Sequence, residues 1–146
     1  MKMKLSTRTR YGLRMLIALA KKFNQGPYQI SEISRLEEIS EKYLGQISII
    51  LRNNGIIEST RGSQGGFYLT KDPALLNLKD IVEILEGDIS LVSCSDINGE
   101  CNRTSQCVTK DIWEEVNNAI KSTLSKYTLQ DIVDLSNTKD GEMFYI

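Results

Sequence analysis

Histidine is absent from this chain of 146 residues. Its absence removes the commonest general base, and no Ser/His/Asp set or phosphate-cradling motif takes its place, so an enzyme is not expected. Long apolar runs are missing too: none approaches the roughly 20 residues needed to span a bilayer, and no membrane partner is expected. The first apolar stretch is punctuated by Arg8, Arg10 and Arg14, which is not a secretory signal pattern. A cytoplasmic location is the expectation, and structural disulfides are rare there. Cysteine is scarce, with 3 residues in all, an odd number that points the same way. No internal repeat or low-complexity segment is present.

What the chain does contain is an ordinary globular mixture, 40% hydrophobic and 25% charged, enough for one or two small domains. The net charge of -1 hides an uneven distribution. Residues 1–72 hold 12 Lys/Arg against 6 Asp/Glu, and residues 73–146 hold 6 against 13. A basic first half joined to an acidic second half suggests a nucleic-acid-facing head on a separate body.

Apolar spacing predicts a helix over 5–23, with Ser6 or Thr7 as cap and Tyr11, Met15, Leu19 and Phe23 recurring at i+4. A short second helix spans 29–38, with Ile30, Ile33 and Leu36 apolar. Ser40 then caps a third, whose stripe is Tyr43, Leu44, Ile47, Ile50 and Leu51 and whose outward positions are Lys42, Gly45 and Gln46. Gly55 ends it. Residues 56–60 and 67–70 read as strands around the turn RGSQGG. Three helices followed by a hairpin is the order of a winged helix-turn-helix, which offers the third helix to base edges. The glycine-rich tip lets Arg61 approach the backbone or minor groove.

Residues 78–87 predict a helix closed by Gly87. A longer one of about 18 residues, or about 27 Å, starts at Thr109 as cap and carries an apolar stripe through Ile112 or Trp113, Val116, Ala119 or Ile120, Thr123 or Leu124, and Tyr127. That surface exceeds what so small a chain needs internally, so the helix is read as a dimer helix. Thr128 caps a last short helix to about residue 136, and the tail ends Met143-Phe144-Tyr145-Ile146. The expected fold is mainly α: a winged helix-turn-helix DNA-binding domain (1–73), a linker helix and cysteine-bearing loop (74–108), and a dimerisation helix with tail (109–146).

All three cysteines fall between Cys94 and Cys107, spaced C-x6-C-x5-C among loop-forming residues. A buried structural cysteine sits among apolar neighbours, and these do not. Three convergent thiols on a polar loop suit a soft metal or an iron–sulfur cluster. Zinc held by three cysteines and an oxygen, or a thiol redox or nitrosative switch, are alternative readings.

The segments LSTRTRYGL, ISEKYLGQ, LRNNGIIEST-RGSQGGFYL, LKDIVEILEG and C-x6-C-x5-C-x5-W, ending at Trp113, together resemble the iron–sulfur cluster regulator (IscR) family. The resemblance covers about Met3 to Val133. It implies a homodimeric repressor of cluster-biogenesis genes that binds a palindromic double-stranded operator. It also implies a 2Fe–2S cluster held by Cys94, Cys101 and Cys107, and DNA contacts from Ser40, Lys42, Tyr43, Gln46 and Arg61.

Two departures stand out. Where the cluster regulators usually have histidine, this chain has Lys110, so the fourth ligand is left open among Asp111, Glu100, Asp96, the Thr109 hydroxyl and a partner-subunit group. An oxygen ligand is expected, because an ammonium has no lone pair to give. Gly45 stands where a glutamate often helps discriminate operators. The final MFYI is similar to the ending of cysteine-metabolism repressors, which generally lack the three cysteines. It is read as a docking site for a protein partner.

Overall fold

A computed structural model describes residues 4–91 and 106–143, side chains of 141–143 excepted. Six helices and one hairpin follow in the order α1 (Thr7–Lys21), α2 (Ile30–Glu37), α3 (Glu41–Asn53), β1 (Ile57–Thr60), β2 (Gly66–Leu69), α4 (Leu78–Glu86), α5 (Lys110–Ser125) and α6 (Leu129–Met143). The mainly helical winged helix-turn-helix expected from the element order is the architecture observed.

Helix α1 is the hub. Its N-cap is Ser6, whose hydroxyl accepts from the Thr9 N–H, and its Met15, Leu16 and Leu19 are buried. Around it close Ile33 of α2, Leu44, Ile47 and Leu51 of α3, Ile57 and Leu69 of the hairpin, and Ile81 and Leu85 of α4. Gly12 allows α4 in: a Cβ there would stand 2.7 Å from Leu85 Cδ1. Leu36, expected on the inner side of α2, is instead 58% exposed. Eight residues make barely two turns, and Ile33 alone among them is buried.

The hairpin pairs Ile57 with Leu69 and Thr60 with Gly66. A third backbone segment joins it, because Tyr28 and Phe67 exchange hydrogen bonds at 2.8 and 2.9 Å. A single residue of pairing carries no periodicity, so this bridge has no sequence signature. After the hairpin, Asp72 caps one turn of 3-10 helix at Pro73–Leu75, another element the sequence reading left out.

Two expectations about the second half are corrected. The last helix reaches Met143 rather than about residue 136. Leu129 and Val133 bury themselves in the α1-centred core, and Lys21 Nζ meets Asp140 Oδ2 at 3.3 Å. Tertiary packing on α1 thus extends a polar stretch that has no apolar stripe of its own. Helix α5 has 16 residues, about 24 Å, and Thr109 makes no side-chain cap bond to it. None of the described helices is long and apolar enough to cross a membrane.

Candidate nucleic-acid interface and thiolate site

Helix α3 is oriented from within. Buried Leu44, Ile47, Ser48 and Leu51 fix its inner side, and the Ser40 hydroxyl accepts from the Tyr43 N–H at 3.2 Å. Ser40 is thus a helix cap whose exposed position lies at the end of α3. Lys42 and Gln46 are left exposed, and nothing lies within 4 Å of where a Cβ on Gly45 would stand. Ile49, which the sequence reading passed over, is 57% exposed. It lies three residues from Gln46 and seven from Lys42, on the same stripe. A large apolar residue out of phase with the buried set was the signal.

Tyr43 is half-buried and meets Tyr11 edge to face, ring centroids 5.7 Å apart at 86°. Arg14 lies 5.5 Å from the Tyr11 ring centroid and pairs with Glu37 at 2.9 Å. Helix α1 therefore holds the ring of Tyr43 in place, a role for Tyr11 and Arg14 that spacing alone could not reveal.

The wing is built by close backbone approach. A Cβ at Gly65 would stand 2.3 Å from the Thr60 carbonyl, and one at Gly66 would stand 2.5 Å from that of Tyr28. Gln29 Nε2 donates to the Ser63 carbonyl at 3.0 Å, tying the tip to the start of α2. Arg61 is exposed on this braced turn. Lys42 and Arg61 enter no ion pair among the described residues, so their charged ends, with the exposed amide of Gln46, remain available for phosphates and base edges.

Of the three thiols, Cys94 and Cys101 lie outside the described residues, as do Asp96 and Glu100. Cys107 is described, partly exposed, just before α5. The Thr109 hydroxyl sits 3.4 Å from its Sγ. That hydrogen bond, helped by the N–H groups of Thr109 and Lys110, holds the thiol below its ordinary value against a slight opposing effect of burial and Asp111. Thr109 thus serves the sulfur instead of capping α5. Lys110 is committed elsewhere, its Nζ 3.7 Å from Glu114 Oε1. Among the described residues no three His, Cys, Asp or Glu side chains are grouped to hold a metal ion.

The model of the Rrf2 family, described as iron-dependent transcriptional regulators, matches residues 5–135. The chain belongs to the Rrf2 family. The HTH-type transcriptional regulator CymR of Bacillus subtilis is 38% identical over 148 residues, covering 99% of this chain and all of CymR. The structure of CymR, the global cysteine regulator of B. subtilis, aligns with a TM-score of 0.75 at 34% identity, covering 92% of this chain and 98% of that one. T. potens IscR aligns with a TM-score of 0.74 at 32% identity, covering 92% and 88%. This Rrf2 protein is accordingly a DNA-binding transcription regulator and not an enzyme.

Proposed function

We propose that this Rrf2 protein is a cytoplasmic, homodimeric repressor of iron–sulfur cluster biogenesis genes, responsive to a 2Fe–2S cluster held by Cys94, Cys101 and Cys107. The observation that carries the reading is the setting of Cys107. Its sulfur is partly exposed and hydrogen-bonded toward the thiolate form at the mouth of α5, and the thiolate is the form that ligates iron. The described donor therefore fits such a group. When bound, the cluster would supply a ligand whose presence depends on iron and redox conditions.

The fourth ligand is an oxygen. Lys110 is engaged with Glu114, while Thr109 is at the sulfur and Asp111 is exposed one turn away. The chain's own residues do the rest. In each subunit Lys42 and Gln46 meet the major groove, Ile49 a thymine methyl, Arg61 the flanking backbone or minor groove, and Ser40 and Tyr43 the adjoining phosphates. Two heads reading a palindrome need a fixed separation. Helix α5 provides the joint, because Ile112 is 53% and Trp113 38% exposed, and Val116, Ala119, Ile120, Thr123 and Leu124 line an apolar cleft along it. Pairing α5 with its copy covers that face.

Coupling of about 1–3 kcal/mol between the thiol site and the heads would change operator occupancy roughly 5–150-fold. Iron and acid-labile sulfide should be quantified on protein purified without oxygen. Iron and sulfide in equal amounts, with visible absorption lost in Cys101→Ala, support the reading, and colourless protein lacking both counts against it.

The 38% identity to CymR favours a second reading. The same dimer would repress cysteine-metabolism genes, controlled by a protein docking on Met143–Ile146 or by the thiols as a redox or nitric oxide sensor. Residues 144–146 lie outside the described residues. Removing Met143–Ile146 should abolish association with a cysteine-synthesis enzyme if that reading holds.

A further inference from the structure

A cavity of about 280 Å³ opens at the root of the wing, where the end of α1, the 24–28 segment and both strands meet. It belongs neither to the outward stripe of α3 nor to the thiol site. Leu19 and Leu69 lie in its walls with the aromatic rings of Phe23, Tyr28, Phe67 and Tyr68. Such an apolar space is at the small end of ligand sites. Its one cationic wall residue is Lys22, whose Nζ sits 4.1 Å from the Tyr28 ring centroid. No carboxylate lies within ion-pair distance of Lys22 among the described residues, whereas neighbouring Lys21 is paired with Asp140. Glu58 faces Tyr68 across the hairpin but is not part of the wall.

We propose that this cavity binds a small monocarboxylate with an aromatic or branched apolar body. The ring of Tyr28 uses one side of the Lys22 ammonium, and its remaining N–H groups can donate to a carboxylate. The aromatic walls take the apolar body and leave no second cation for a dianion. A bound acid touches Phe23 in the turn after α1 and Thr60 and Tyr68 on the hairpin at once, so it adjusts the seat of the wing that carries Arg61.

The test uses the full-length protein, phenylacetate as probe and phenylacetamide as its neutral counterpart, followed by calorimetry and amide chemical shifts. Phenylacetate should bind with a dissociation constant of roughly 0.1–1 mM. Shifts should be centred on Tyr28, Phe67 and Tyr68 and extend to Arg61. The amide should bind roughly tenfold more weakly, and Lys22→Met should remove that difference. Thr60→Trp, which places a bulky ring in the wall of a strand that accepts it, should abolish binding with an unchanged melting temperature. The proposal is overturned by no binding at tens of millimolar, by equal binding of acid and amide, or by full affinity in Lys22→Met. It is also overturned if phenylacetate binds only after residues 144–146 are removed, since the cavity would then belong to the chain's own end.

Discussion

Glu86 reaches across 80 positions of sequence to Ser6: its Oε2 accepts from the Ser6 N–H at 3.0 Å and from the Ser6 hydroxyl at 2.8 Å. The same oxygen accepts from the Thr9 hydroxyl, and Arg8 Nε donates to the Leu85 carbonyl at 2.8 Å. The last turn of α4 is thereby fastened to the first turn of α1. Gly87 follows directly, so this latch fixes the point at which the chain leaves α4.

Burial tends to raise the Glu86 carboxyl, but the hydrogen bonds from Thr9 and Ser6, with Arg8 nearby, hold it below its ordinary value of 4.5. A depressed folded value means that the stabilisation is complete above the ordinary value and is lost as pH falls through the folded one. Glu86→Gln should therefore lower stability by about 1–3 kcal/mol at neutral pH. The gap from the parent protein should close as pH drops below about 4.5. Denaturant melts at pH 7 and pH 3.5 check this, and a gap that widens in acid would contradict it.

The glycines of the head divide by what surrounds them. Gly66→Ala sets a methyl against the Tyr28 carbonyl, so the wing must shift. A loss of about 1–3 kcal/mol in stability is expected, with weaker operator binding. Gly45→Ala meets open space in the middle of a helix and should stabilise by about 0.5–1 kcal/mol. Thermal melts of the two variants should move in opposite directions.

Much of this head was legible in the sequence, because Met15, Leu19, Leu44, Ile47 and Leu51 keep helical spacing and Ser40 announces the start of α3. The order of helices and hairpin then fixed the fold. Other features left no local trace. Glu86 reads as an ordinary charge at a helix end until its distant partners are known. Residues 136–143 carry no apolar stripe, and their helix depends on the packing of α6 against α1. Thr109 has the chemistry of a cap, yet its hydroxyl finds a sulfur two residues earlier. Lys42 and Gln46 were placed outward by periodicity alone, while the bracing of Tyr43 by Tyr11 required tertiary contact.

Contacts with DNA should separate by type. Gln46→Ala should cost about 1–3 kcal/mol and relax preference at one base position. Arg61→Ala should weaken binding across sequences and reduce the slope of log affinity against log salt by about 1. Fluorescence anisotropy at several salt concentrations distinguishes these outcomes, and an unchanged salt slope in Arg61→Ala would remove Arg61 from the interface.

Charging the α5 cleft tests the joint. Val116→Asp buries a carboxylate in an apolar pairing and should convert the dimer to monomer, measured by sedimentation. Binding to a full palindrome should then fall to the level of a half-site. A dimer of undiminished affinity would place the subunit contact elsewhere.

Control of the heads by the thiol site is the central claim to test. The most direct measurement is the operator dissociation constant, taken without oxygen, for cluster-loaded protein and for Cys107→Ala at the same dimer concentration. A difference of roughly 5–150-fold is expected. Equal affinity for both, with iron and sulfide verified in the parent protein, would contradict it.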